Sequence, residues 1–356
     1  MPKLFDAEYT HDELRRMISD PAQLAGVRLY ELSDGRARGV RAAEVYTGSG
    51  FRFQVLLDRA MDVGFAEHSG RPLAWLHPAL GGPGLYDPYG YGWLRTFGGG
   101  LVTTCGLTFF GQPEQDGAEQ LGLHGRISHS PAECVRVTTE QRGDEYVLEV
   151  EGVVRQAALF GENLSLTRRI STRLGADSLL IEDVVRNEGF RPTPHMILYH
   201  CNLGFPVVAP GAELLVEGEW VRPRDAAAEA GLSEHARFGS PVAGYAEQVF
   251  FHKPKPDADG LVRAAIVNRA LGFGAYVEYR EAELPCLAQW KMQGEGEYVC
   301  ALEPANQWET PRARLGEEGR LAHLAPGEEV RYYVEIGALP DTAAIQRFES
   351  RSPLRT

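Results

Sequence analysis

The sequence predicts an all-β protein, an antiparallel β-sandwich preceded by one short helix. Three observations predict it. Long stretches alternate apolar and polar residues, or run rich in β-branched ones, with the two-residue period of strands. The 40 glycines and 22 prolines supply turns between short strands. Helical patterns between strands, which a parallel α/β sheet requires, are missing.

Taken in chain order, Thr10 and Glu13 have the spacing of a capping box and predict a helix from about His11 to Ile18. The pattern then turns to period two. "GVRAAEVYTGSGFRFQVLLD", "GDEYVLEVEGVVRQ", "LSLTRRISTRL", "SLLIEDVVRNEG" and "EVRYYVEIGAL" read as strands broken by Gly, Asp and Asn turns. Residues 222–239 suit one or two helical turns, and residues 80–94 form a Gly-rich loop carrying Tyr86, Tyr89, Tyr91 and Trp93. Such a loop can wall a sugar cleft or pack as ordinary surface. With no fixed repeat and no low-complexity linker, the leading division is an N-terminal extension (1–39), one sandwich domain (40–340) and a C-terminal tail (341–356).

The hydrophobic fraction of 44% is ample for a core, and a net charge of −13 argues against nucleic-acid or anionic-membrane partners, which need clustered Lys and Arg. Five cysteines without a CxxC pair fit neither a disulfide framework nor a cysteine zinc site. They read as reduced, mostly buried thiols of a cytoplasmic protein. The first twenty residues lack a signal-peptide apolar region, and no apolar run approaches the ~18 residues of a membrane helix.

Chemistry is sought where polar side chains interrupt strands. In "HMILYHCNLGF", residues two apart share a face, so Met196, Leu198, His200 and Asn202 point one way and Tyr199, Cys201 and Leu203 the other. "QWKMQGEGEYVCALEPAN" reads as a hairpin. A two-residue loop would put Trp290 on the face of Glu303; a three-residue loop, Gly294-Glu295-Gly296, would put Gln289 and Lys291 there, with Asn306 following. The second register gathers Trp290, Met292, Tyr298, Cys300 and Leu302 on one apolar face and is preferred. His124 is flanked by glycines and followed by Arg126; Arg95 is a further ligand clamp; Glu247 and Gln248 fall on opposite strand faces, so only one enters a cleft. No HxH, HxxxH, HExxH, GxSxG, GxGxxG or phosphate-loop pattern occurs, so no metal site and no cofactor is expected, although His124, His200 and Glu303 could share a metal geometrically.

"LGLHGR", "LYHCNLG" and "CALEPAN", in that order, resemble the aldose 1-epimerase (galactose mutarotase) superfamily over about residues 40–340. "LLDRAMD", "GGGLVTTCGL", "LYHCNLGFP" and "QWKMQGEGEYVCALEPAN" are most similar to a bacterial branch of unassigned function. The resemblance implies a β-supersandwich with an open sugar cleft. It implies Glu303 as the base at the anomeric hydroxyl, His200 as the acid at the ring oxygen, and His124 as a substrate-binding residue. Glu247 and Gln248 stand where the superfamily usually has an Asp-His pair. His195 rivals His200 for the acid role. Opening a hemiacetal needs one group to take a proton from O1 and another to give one to the ring oxygen, which a carboxylate and an imidazolium can do without a cofactor. Two other readings compete, a sugar isomerase or epimerase in which Glu303 or Lys291 removes a carbon-bound proton, and a noncatalytic carbohydrate-binding protein. The partner expected is a small-molecule sugar, with at most a second copy in a homodimer.

Overall fold

The computed structural model describes residues 2–5 and 7–351. The N-terminal helix spans His11–Met17. Its capping box closes as the spacing predicts, with the Thr10 N–H donating to Glu13 Oε2 at 2.7 Å and the Glu13 N–H donating to Thr10 Oγ1 at 3.2 Å. Asp12 and Glu13 in the first turn and Arg15 and Arg16 in the last complement the helix dipole.

Three antiparallel sheets make the sandwich. An eight-stranded sheet runs in the order Ala132–Arg142, Glu145–Ala157, Asn163–Arg173, Ser178–Asn187, Glu329–Leu339, Phe273–Arg280, Leu261–Asn268 and Glu213–Val216. A six-stranded sheet runs Gly218–Pro223, Gln248–Pro254, Cys286–Gly294, Glu297–Ala305, Met196–Leu203 and Thr103–Leu107. A five-stranded sheet of chain-adjacent strands covers Gly26–Glu31 to Arg71–Pro72. Single bridges, Val63 to Val102 and Ala74 to Leu203, join the five-stranded and six-stranded sheets, and one core unites all three.

That core follows from the period-two pattern. Alternate residues of Glu145–Ala157, Asn163–Arg173 and Ser178–Asn187 are buried, among them Leu148, Val150, Leu166, Ile170, Ile181 and Val185. They meet Ile197, Tyr199, Cys201 and Leu203 across the interface. One charged knot lies in it. The Arg168 guanidinium donates to both oxygens of Asp183 at 2.9 and 2.6 Å and to Asp62 Oδ1 at 3.1 Å, and Tyr199 Oη donates to Asp183 Oδ2 at 2.6 Å. Burying these charges is tolerable because each is paired and hydrogen-bonded; removing one partner of such a pair costs about 3–5 kcal/mol. The knot fixes the core face of the strand whose other face carries His200.

The segment set apart as an extension contributes the strand Gly26–Glu31, paired with Arg41–Tyr46. The tail folds as a helix, Thr342–Arg351, that buries Ala344, Ile345 and Phe348; residues 352–356 lie outside the described residues. Residues 222–239 hold one short helix, Ala226–Ala230, capped by Asp225, whose carboxylate accepts the Ala228 N–H at 3.0 Å, and one turn of 3-10 helix. Among the described residues, no helix is long and apolar enough to cross a membrane.

Candidate active site

The strand Met196–Leu203 is buried along its whole length. Its odd-numbered side chains enter the main core, while Met196 and Leu198 pack with Trp93, Phe97 and Phe109 in a second cluster, on the face that also presents His200. This division is the one the alternation predicts. His124 reaches the same space from a left-handed backbone at φ 57, followed by Gly125 at φ 77. A Cβ on Gly125 would sit 2.3 Å from the Phe109 carbonyl oxygen and 2.5 Å from that of Gly106, so no other residue fits without moving the strand beneath. The His124 ring meets Trp93 at 4.9 Å and His200 at 5.7 Å, centroid to centroid, both edge-on.

The late hairpin takes the two-residue loop and not the three-residue loop preferred from the sequence. Gly294 pairs with Glu297, leaving a two-residue loop of Glu295 and Gly296, so Ala288 stands opposite Glu303 and Trp290 opposite Ala301. Trp290 therefore shares the face of Glu303, and Gln289 and Lys291 do not. The apolar-face count misled because the far side of the strand carries polar groups that are satisfied internally. Lys291 Nζ donates to the carbonyls of Glu234 and Arg237, both at 2.7 Å. Gln289 accepts from His252 Nε2 at 3.0 Å and donates to the His235 carbonyl at 2.8 Å. Both residues pin the segment around residues 234–237 against the back of the sheet.

A cleft of 600 Å³ opens over this face, and His124, His200, Glu247 and Glu303 line it together. His200 Nε2 stands 3.2 Å from Glu303 Oε1. Glu303 Oε1 makes no hydrogen bond, and His200 Nδ1, the ring nitrogen away from Glu303, is likewise buried without a partner among the described residues. Burial pushes His200 down to about 4, against an upward pull from the Asn202 amide. Burial holds the Glu303 carboxyl well above the usual carboxylate range, reinforced by Glu309 and Glu247 and opposed by Arg224. His124 is lowered to about 3, again mainly by burial. Burial thus disfavours the charged form of both groups.

Around the pair runs a polar ring in which Glu247 was expected from the sequence and Arg224, Glu309 and Gln112 were not. Arg224 Nη2 and Trp290 Nε1 each donate to a different oxygen of Glu247 at 2.9 Å. Arg224 Nη1 lies 3.9 Å from Glu309 Oε2, Gln112 donates to Glu309 Oε1 at 3.3 Å, and Tyr91 Oη donates to Gln112 at 3.2 Å. Nothing local marks Arg224 or Glu309 in "RPRD" or "NQWET"; their strands and loops converge only in the fold. Trp290 was legible, had the shorter loop been preferred.

Several expected ligands lie elsewhere. Asn202 turns its amide to the carbonyls of Gly100 and His200, both at 2.9 Å, supporting the strand rather than entering the cleft. Asn306 accepts the Ile197 N–H at 2.9 Å. Gln248 donates to the Ala227 carbonyl at 3.1 Å, on the face opposite Glu247 as alternation requires. Neither Arg95, whose side chain is exposed, nor half-buried Arg126 lines the cleft. His195 is committed to the core, its Nδ1 3.0 Å from the Leu107 carbonyl and its Nε2 2.6 Å from Tyr332 Oη. Among the described residues, no three or more His, Cys, Asp or Glu side chains cluster as metal ligands, so His124, His200 and Glu303 do not form such a set.

A family model described as a domain of unknown function (DUF4432) matches residues 37–338. The curated proteins contain no match. Among solved structures, a candidate aldose 1-epimerase from Klebsiella pneumoniae superposes with a TM-score of 0.87 at 24% identity, covering 98% of this chain and 91% of that one. A galactose mutarotase-like protein from Clostridium acetobutylicum gives 0.60 at 14%, covering 89% and 99%. A galactose 1-epimerase from Lactobacillus acidophilus gives 0.57 at 14%, covering 88% and 98%. At these identities the likeness establishes the galactose-mutarotase-like β-sandwich.

Proposed function

The chain belongs to the DUF4432 family, and within it we propose an aldose 1-epimerase-like enzyme that interconverts the anomers of a neutral sugar. The observation that carries this reading is the buried Glu303–His200 pair, 3.2 Å apart at the floor of an aromatic-walled cleft, with Glu303 Oε1 and His200 Nδ1 lacking hydrogen-bond partners among the described residues. Groups left without partners in a water-poor site are free to meet the hydroxyl and ring oxygen of a substrate.

Ring opening requires Glu303 as a carboxylate at the O1 hydroxyl and His200 as an imidazolium at the ring oxygen. That working form keeps one proton on the pair, held on His200 while Glu303 is ionised. The freed aldehyde rotates about C1–C2 and recloses with the roles exchanged. Each group thus serves as acid in one direction and base in the other. His124, neutral and edge-on to His200, supplies a hydrogen bond to a sugar hydroxyl.

The lining favours a sugar without a charge. Among the described residues, Arg224 is the only Lys or Arg in it and is tied to Glu247, while Glu297, Glu303 and Glu309 also face the space. The isomerase alternative loses Lys291, which is spent on two backbone carbonyls. A cytoplasmic setting belongs to the same reading, supported by five free cysteines.

Proton NMR of freshly dissolved pure anomers tests the proposal. Wild type accelerates exchange, and Glu303→Gln lowers the rate by about 10²- to 10⁴-fold, the usual worth of a general acid–base group. Solvent deuterium at C2 would move the assignment to isomerisation. Sugar binding with no exchange would leave a noncatalytic binding protein.

A further inference from the structure

The cleft is larger than the ring that the acid–base pair can use. A hexopyranose displaces about six waters' worth of liquid, ~180 Å³ at ~30 Å³ each. That is roughly a third of the 600 Å³ available. The remainder is organised. His200 and Glu303 are each 5% exposed, beside Trp93 at 2% and Phe97 at 6%. Trp75, His77, Trp290 and Met292 are half-buried, and Tyr91 and Leu94, at 60% and 50%, stand at the mouth. Ring contacts lead outward from His200 to Trp290 at 5.5 Å, from Trp290 to Trp75 at 6.2 Å, and from Trp75 to its stacked neighbour His77 at 5.7 Å.

We propose that this outer half is a second sugar subsite, and that the preferred substrate is a reducing disaccharide whose reducing ring lies over Glu303 and His200 while its second ring packs against Trp75, His77 and Tyr91. The inference rests on the anomer-exchange reading for the inner half only. Aromatic faces and rings suit the C–H faces of a pyranose, and the exposed Glu297 and Gln112 in the same lining suit its hydroxyls. Since C1 must face the floor, the second ring is joined through an oxygen on the far side of the reducing ring. Two rings displace about 360 Å³ by the same reckoning, which the cleft accommodates.

The test compares reducing disaccharides, 1,4- and 1,6-linked, with their own reducing-end monosaccharides, for example maltose with glucose and lactose with galactose. Calorimetric binding and anomer-exchange kinetics are measured on wild type, Tyr91→Phe and Tyr91→Ala. At least one disaccharide is expected to bind about tenfold tighter than its monosaccharide. Tyr91→Phe keeps that preference and Tyr91→Ala reduces it, while the exposed position of Tyr91 leaves folding intact. Equal binding within each pair, a preference that survives Tyr91→Ala, or no binding of any sugar overturns the proposal. Disaccharide preference without exchange keeps the subsite and rejects the epimerase reading; exchange of monosaccharides without the preference does the reverse.

Discussion

His195→Gln tests whether His195 is a core histidine or the acid of the proposed reaction. In the native protein His195 is buried and neutral: Nδ1–H donates to the Leu107 carbonyl, and the Tyr332 hydroxyl donates to Nε2. Burial lowers its pKa from 6.5 to about 4. A base with a depressed native pKa binds its proton more readily when unfolded. Its stabilising contribution is therefore complete above pH 6.5 and is lost as the pH falls towards 4. At ~1.4 kcal/mol per pH unit the full loss is about 3 kcal/mol, and roughly 2 kcal/mol has gone by pH 5. Glutamine can still accept from Tyr332 but leaves the Leu107 carbonyl without its donor, at a cost of about 1–3 kcal/mol. Urea unfolding at a series of pH values should show the variant less stable than wild type by that amount at pH 8. The two stability curves should converge near pH 5, with slopes differing by about 1 kcal/mol per pH unit between pH 6 and pH 4.5. Anomer exchange at pH 7.5 should persist. Parallel stability curves, or abolished exchange with unchanged stability, would refute the placement of His195 in the core network.

Two further outcomes follow from the same geometry. Lys291→Met should keep turnover while lowering the urea midpoint by the equivalent of about 1–3 kcal/mol, since two carbonyls lose a donor but a buried charge is also removed; loss of turnover at full stability would return the ammonium to the cleft. Glu309→Gln should move the alkaline limb of the pH–rate profile down, because Glu309 helps to hold the Glu303 proton, and Arg224→Gln should move it up, because Arg224 opposes that hold. Shifts in the same direction would contradict the charge arrangement.

The sequence by itself determined what depends on local periodicity. Alternation gave the strands, the two faces of Met196–Leu203, and the opposition of Glu247 and Gln248; the Thr10–Glu13 spacing gave the first helix. The resemblance of "LGLHGR", "LYHCNLG" and "CALEPAN" pointed to the three residues that the fold gathers, His124, His200 and Glu303. Tertiary structure decided everything that depends on register and on distant partners. One residue of loop length exchanges the two faces of a hairpin strand, and it placed Trp290 in the cleft and Lys291 behind it. Which polar side chains are free for a ligand was equally beyond the sequence. Gln289, Lys291, Asn306 and the amide nitrogen of Asn202 are occupied by buried hydrogen bonds, most of them to backbone groups, many with partners far along the chain or on a neighbouring strand. A polar residue in a strand signals a need for a partner; only the packed fold shows whether the protein already meets it.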